Sequence, residues 1–385
     1  MARNIKIEVI RLLACFLVIW YHIRQLPWKV DGTLSETAVF FECICTVCVM
    51  AFFLITGFFI YNKKGNILND WKELLIKTFK VIFIPFIIVV IFTIIFHEFL
   101  ISRATFIDCI LKFDLMKILK TLWEATITYS ATKLPGTAAH LWYVFSYIVI
   151  VVFYPLTRLV LTKCSRKIVY ILLFILTICM IVNDYFLFFG NPTYNIVFKI
   201  LHKPIYYSAW GFVLYNDIIV KYIDNIYIGV TNRPFILNKP IFVSSFITYV
   251  ITFILLLKTQ VAYYLGHNGE YVYTSWLSTY SLILTTAFIL FIYSMDIERF
   301  INEKLKTVIL FITKRSLYIY LLHYLVITKF LSLGFQEMVF KNRPSIINHF
   351  LYYIFYGLFI FIVTMLILLL IENILKVFKL GGQND

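Results

Sequence analysis

The sequence predicts an all-α integral membrane protein with about ten transmembrane helices and both termini in the cytoplasm. Three observations carry this prediction: the composition, the spacing of the apolar runs and the distribution of basic residues between them. Of the 385 residues, 62% are hydrophobic and 14% are charged, and the mean hydropathy is +0.88. Soluble domains are roughly 45–50% apolar and about 25% charged, so this composition excludes an ordinary soluble fold.

Ten apolar runs have the length that a membrane-spanning helix needs, about 20 residues. An even number of spans places both termini on one side, and with that side inside, the inner segments hold most of the basic residues. The first run has no small-residue cleavage site, so we expect a retained span rather than a signal peptide. The runs are 5–24, 37–61, 76–99, 140–162, 168–189, 198–219, 239–257, 276–296, 308–331 and 349–375.

One connection is longer than a turn, the segment 100–139 between the third and fourth spans. Within it, residues 106–129 place apolar and charged side chains on opposite helical faces. This pattern predicts an amphipathic helix on the outer surface, or a cap over the opening of a cavity. No internal repeat is visible, so we expect one transmembrane domain over 1–380 and a short tail at 381–385.

Several function classes are disfavoured. The net charge of +15 is spread in short clusters between apolar runs, which fits membrane orientation better than nucleic-acid binding. The seven cysteines lie mostly inside apolar runs, where Cys45 and Cys48 are expected to pack rather than to form a redox or metal site. No zinc-ligand spacing or P-loop is present, so no metal is predicted. The sequence does not indicate an oligomeric state.

The first span carries ionisable residues that are costly in a bilayer. Arg11 and His22 are eleven residues apart, so they share a helical face at a separation of about 16 Å. Glu8 lies one turn before Arg11 and can pair with it. Two interpretations are open: both residues lie at the membrane interfaces, or Arg11 binds a phosphate and His22 acts as a base.

The second span contains the run F-F-L-I-T-G-F at 52–58, followed by Lys63 and Lys64. The fourth span begins with H-L-W-Y at 140–143, and the ninth contains S-L-Y-I-Y-L-L-H at 316–323. Together with Glu8, Arg11 and His22, these runs resemble, in order, the motifs of acyltransferase family 3, the multispanning membrane acyltransferases. Here Thr56 replaces the serine of the family pattern, and lysines replace arginines in the basic cluster.

The resemblance implies a membrane O-acyltransferase. Such enzymes most often move an acetyl group from cytoplasmic acetyl-CoA to a hydroxyl of a cell-surface or capsular polysaccharide, or of its lipid-linked precursor. It also implies a multi-pass protein of the cell membrane, surrounded by lipid and here expected in a bacterial plasma membrane. The family requires the arginine and histidine of the first span for activity, which correspond to Arg11 and His22.

Cationic side chains near the inner face are candidates to bind the phosphates of CoA. Besides Arg11 they are Lys63, Lys64, Lys314 and Arg315. For each of these four, the positive-inside rule alone is the alternative explanation. His22 would deprotonate the acceptor hydroxyl or carry the acyl group transiently, and the sequence leaves both routes open.

The remaining candidates concern the acceptor. His140 and Trp142 could line its cavity or lie at the outer interface. Ser316, Tyr320 and His323 share one face of the ninth span, where they bind substrate or hold helices together. Glu42 in the second span is the nearest carboxylate that could support His22, or a packing residue.

Two rival functions remain open at this stage. One is a polysaccharide or lipid-linked sugar exporter without covalent chemistry, because charges within the membrane suit a substrate path equally well. The other keeps acyl transfer but uses a different acyl group, such as succinyl, instead of acetyl.

Overall fold

The computed structural model is helical almost throughout the residues that it describes. A two-residue antiparallel ladder pairs Lys29–Val30 (β1) with Thr33–Leu34 (β2). The structure describes residues 4–23, 29–30, 33–34, 36–101, 107, 109, 114, 116, 120, 141–188, 203–224, 234–266, 278–333 and 346–381.

Six helices precede the first long undescribed stretch. They are α1 (Ile5–Ile23), α2 (Glu36–Cys45), α3 (Val47–Tyr61), α4 (Ile67–Thr78), α5 (Ile84–Ile95) and α6 (His97–Ile101). A π-helix joins α4 to α5 over Phe79–Phe83. It ends two residues before Pro85, which has no N–H to continue regular α-helical bonding.

The described residues from 141 onward form nine further helices, together with a π-helix at Leu214–Asp224 and a 3₁₀-helix at Ile297–Phe300. The helices are α7 (Trp142–Val152), α8 (Tyr154–Lys163), α9 (Arg166–Phe188), α10 (Lys203–Val213), α11 (Lys239–Gly266), α12 (Thr279–Tyr293), α13 (Glu303–Thr313), α14 (Ser316–Ser332) and α15 (Ile346–Gly381).

Four described helical segments are long and apolar enough to cross a membrane. The number rises to six if the bent pairs α7–α8 and α13–α14 each count as one span, with bends of 59° and 66°. The helical fold with several candidate membrane spans is therefore confirmed, whereas ten spans and the side of the termini stay predictions. The four segments are Val39–Tyr61, Ile67–Ile95, Lys239–Ala262 and Tyr353–Ile374.

Two predicted features lie largely outside the residues that the structure describes. Only isolated positions of the amphipathic segment 106–129 are described, and the tail residues 382–385 lie outside the described residues. The first helix has the length of a span, but its first seven residues include Lys6, Glu8 and Arg11. Composition alone therefore does not mark α1 as a span.

The span Val39–Tyr61 forms the centre of the bundle. Its apolar window is 72% buried, whereas that of Lys239–Ala262 is only 17% buried and exposes large aliphatic and aromatic side chains. An exposed apolar surface on a long helix is what contact with lipid requires. Val39–Tyr61 therefore lies inside the bundle, and Lys239–Ala262 lies at its periphery.

Two glycines allow α3 and α10 to pack with their backbones in contact. A Cβ atom on Gly57 would overlap the backbone carbonyl of Ser208, and one on Gly211 would overlap the backbone of Leu54. Small residues permit this close approach between membrane helices. The glycine of the run at 52–58 therefore has a packing role.

We expect Gly57→Ala to lower the free energy of unfolding by about 1–3 kcal/mol, because the neighbouring atom is backbone and α10 must shift. Thermal unfolding of the detergent-solubilised protein measures this loss. Ser244→Thr adds one methyl group on the exposed face of α11 and should melt like the wild type. Equal melting temperatures for Gly57→Ala and the wild type would contradict the close contact.

The bend between α7 and α8 has a local cause. Pro155 cannot donate to the carbonyl of Val151, which lies four residues earlier, and the helix bends there by 59°. The indole N–H of Trp71 donates to this carbonyl at 2.9 Å. The bend is thus coupled to α4, a wall of the pocket described below.

Candidate active site

Three of the motif-bearing segments meet through hydrogen bonds. The hydroxyls of Thr56 on α3 and Tyr143 on α7 lie 3.2 Å apart, and the backbone N–H of Tyr143 donates to the hydroxyl of Tyr320 on α14 at 3.4 Å. The Tyr143 ring also packs against Phe53, with centroids 4.8 Å apart. Thr56 keeps the hydroxyl that this junction uses.

A pocket of about 580 Å³ adjoins the junction, within the range of small-molecule sites. Residues of α1, α3, α7 and α14 contribute to its walls. One face of α4 and its π-helix forms another wall, with a spacing that follows the helical period. The wall residues from this segment are Glu73, Leu74, Lys77, Thr78, Val81 and Ile82.

Among the described lining residues, the charged side chains lie at one end of the pocket. This charged end consists of Glu8, Arg11, Lys63, Glu73 and Lys77. At the other end, which we call the apolar end, the lining residues Val18, Val49, Phe52, Val144 and Tyr320 belong to one hydrophobic cluster. A ligand with an anionic head and a less polar arm would match both ends.

Arg11 is held at the charged end by Glu8. Its Nη1 donates to both carboxylate oxygens, at 3.1 and 2.9 Å, and the Glu8 side chain is 1% exposed. The guanidinium also lies 5.3 Å from the ring centroid of Phe59. The spacing of the sequence thus correctly predicts this pair. Arg11 itself is 17% exposed and faces the pocket, so its other N–H groups can reach a ligand.

Two more cations lie at the charged end. Lys63 Nζ is 2.9 Å from a carboxylate oxygen of Glu73, whose side chain is 70% exposed. Lys77 lies one helical turn after Glu73 and has no ion pair within the described part of the chain. The described residues that line the pocket therefore include three cations and two carboxylates.

Arg158 fixes the turn that carries Lys63. Its Nη1 donates to Asp70 at 2.5 Å and to the Tyr154 hydroxyl at 2.7 Å, and its Nη2 donates to the backbone carbonyls of Lys63 and Gly65. The side chain is 6% exposed. Arg158 lies in the predicted span 140–162, and no local spacing in the sequence connects it to Lys63.

His22 and His323 lie beyond the apolar end of the pocket. His22 follows Val18 by four residues and His323 follows Tyr320 by three, so each lies about one turn past a lining residue. Their rings are 5.1 Å apart between centroids. The ring of Tyr324 is 4.9 Å from that of His22.

The buried His323 ring has a defined proton arrangement. Its Nδ1 lies 3.1 Å from the carbonyl oxygen of Ile319 and 2.8 Å from that of Tyr320. Carbonyl oxygens only accept, so Nδ1 carries the proton and Nε2 of the neutral ring is an acceptor. Two histidines thus stand together at the end of α1 that is remote from Arg11.

Comparison with known families decides the class of protein. The model of acyltransferase family 3, described as an acyltransferase domain, matches residues 4–369. The chain belongs to acyltransferase family 3. No curated protein and no solved structure matched the chain.

Family membership supports an acyltransferase and a multi-pass membrane protein. Several motif residues of the family lie in one of two places in the structure. Arg11, Lys63, Thr56, Ser316 and Tyr320 line the pocket. His22 and His323 form the histidine pair beyond it.

Other basic candidates lie away from the pocket lining. Lys64 and Lys314 are exposed. Arg315 donates to both carboxylate oxygens of Glu372, at 2.9 and 2.7 Å, and its guanidinium lies 3.9 Å from the ring of Phe311. This pair ties the start of α14 to α15, so Arg315 is placed to hold the α13–α14 bend.

The remaining candidates are placed as follows. Glu42 is fully buried in α2 and is not among the residues that line the pocket. Trp142 packs near Phe53, with ring centroids 6.3 Å apart, rather than lining the pocket. His140 lies outside the described residues. Within the described part of the chain, no group of three or more potential metal-ligating residues occurs, and the absence of a metal stays a prediction.

Proposed function

We propose that this protein is a membrane O-acyltransferase that moves an acetyl group from cytoplasmic acetyl-CoA to a hydroxyl of a cell-surface or capsular polysaccharide, or of its lipid-linked precursor. The observation that carries the proposal is the polarity of the pocket along α1. Along α1, the charged end surrounds Arg11 and the apolar end follows it. His22 lies beyond the apolar end, about 16 Å from Arg11 by helical rise.

The donor fits this polarity. The charged end would hold phosphate groups of CoA, and the thioester arm would run along the apolar wall towards His22. The basic residues near Lys63 and those near Lys163 lie at the same end, since Arg158 joins the turn at Lys63 to α8. By the positive-inside rule, that end would face the cytoplasm, and the membrane would be a bacterial plasma membrane.

The transfer itself needs one proton acceptor. His22 would take the proton of the acceptor hydroxyl while the hydroxyl oxygen attacks the thioester carbonyl. The C–O bond forms as the C–S bond breaks, and the proton passes from His22 to the departing thiolate to give free CoA. The acceptor would approach from the side of the histidine pair, which lies opposite the charged end.

Purified protein incubated with acetyl-labelled acetyl-CoA and the glycan tests this proposal. We expect alkali-labile label on the glycan and one free thiol released for each acetyl group transferred. Succinyl-CoA in a parallel reaction decides the acyl group, since mass spectrometry distinguishes the two esters. Glycan transport without acyl-CoA consumption would support an exporter and contradict the proposal.

A further inference from the structure

The three cations at the charged end of the pocket are not equally available to a ligand. Arg11 is held by the buried Glu8, at 2.9 Å. Lys63 is paired with Glu73, at 2.9 Å, and Lys77 has no carboxylate partner within the described residues. An incoming anion can therefore bind Lys77 without breaking an ion pair among the described residues.

The position of Lys77 on α4 places it inside the pocket wall. Glu73 and Lys77 are four residues apart, so they share the helical face that continues inward to Val81. A Glu–Lys pair at this spacing often forms within one helix. Here Glu73 instead reaches across to Lys63 on the turn after α3, which leaves Lys77 at the boundary between the charged and apolar walls.

The two existing ion pairs differ in how readily they break. Glu73 is 70% exposed and Lys63 is 30% exposed, and exposed pairs of this kind contribute little, about 0–1 kcal/mol. Glu8 is 1% exposed, so removing Arg11 from it would leave a buried charge without compensation. A ligand can thus replace Glu73 on Lys63 far more easily than Glu8 on Arg11.

We propose that Lys63 and Lys77 together bind a phosphate group of the acyl donor, and that Glu73 occupies Lys63 as a competing carboxylate until the donor arrives. The identification of the donor as CoA rests on the proposed function. Binding would swing Glu73 into solvent and join the two lysines through one anion. Lys77 thereby becomes a donor-binding residue, and Glu73 a residue that lowers donor affinity.

Binding of CoA to the full-length protein in nanodiscs tests this site, with pantetheine as the probe that lacks phosphates. We expect Lys77→Gln to weaken CoA binding by about tenfold and to leave pantetheine binding unchanged, as loss of one charge-assisted contact implies. Glu73→Gln should tighten CoA binding a few-fold, because Lys63 is then unoccupied. Lys72→Gln, an exposed neighbour that does not line the pocket, is the matched control and should change neither.

The outcomes separate this inference from the proposed function. Wild-type CoA affinity in Lys77→Gln, or equal weakening of CoA and pantetheine, would overturn the phosphate site even if acetyl transfer is observed. Lys77-dependent binding of CoA without any acyl transfer would retain the site and overturn the proposed function. A wild-type protein that does not bind CoA overturns both.

Discussion

Replacing His22 with alanine is expected to lower acyl transfer by about 10²- to 10⁴-fold, the usual contribution of a positioned general base. CoA affinity should remain at the wild-type value, because His22 lies about one turn beyond the pocket lining and far from the charged end. Transfer rates at saturating acetyl-CoA and binding of CoA in nanodiscs measure the two quantities separately.

A second histidine provides the matched control for this variant. His97 begins α6 and does not line the pocket, so His97→Ala should transfer acetyl groups at a rate near that of the wild type. Thermal unfolding of both variants shows whether either substitution damages the fold. Transfer by a folded His22→Ala protein at the wild-type rate would remove His22 from the mechanism.

Replacing Arg158 with alanine is expected to destabilise the protein by about 3–5 kcal/mol, because Asp70 would be left as a largely buried charge without its partner. The backbone carbonyls of Lys63 and Gly65 would also lose their donor. The turn that carries Lys63 should then become mobile, so any surviving protein should also bind CoA less tightly.

Arg158→Lys should restore little of this stability. The two terminal nitrogens of Arg158 reach different partners, and a single ammonium group cannot span them. Lys163→Ala removes an exposed cation from the same helix and serves as the control. A melting temperature of Arg158→Ala close to that of the control would contradict the clamp.

The sequence predicted relations within a helix well, because helical period determines which side chains share a face. The Glu8–Arg11 pair is present, and Ser316 and Tyr320 do line one pocket. The same stripe was expected to act as one surface with His323. In the structure His323 lies about one turn further along α14 than Tyr320, and its ring packs against that of His22 instead.

Contacts between distant segments were beyond the sequence. Arg158 and Lys63 are 95 residues apart, and only the packing of α8 against the turn after α3 reveals their contact. Lys77 was not among the basic candidates that the sequence indicated. Its proposed role follows from the ion pair between Glu73 and Lys63, which leaves Lys77 without Glu73. No spacing rule predicts that pair.

The packing glycines and the bend at Pro155 also combine local features that the sequence predicts with contacts between helices that it does not. The run at 52–58 suggested a functional motif, but the requirement for glycine at Gly57 comes from the backbone of Ser208 on another helix. The bend at Pro155 could be expected from the missing N–H of proline. The hydrogen bond from the indole of Trp71 to the carbonyl of Val151 could not be expected from the sequence, because Trp71 belongs to α4.

Transfer across a sealed membrane tests the central claim most directly. The protein is reconstituted in proteoliposomes with labelled acetyl-CoA on the side of Lys63 and the glycan on the side of His22. We expect acetyl label on the glycan with matching release of free CoA thiol, and neither with His22→Ala. Unlabelled glycan that crosses the membrane while the acetyl-CoA remains intact would contradict acyl transfer and identify a transporter.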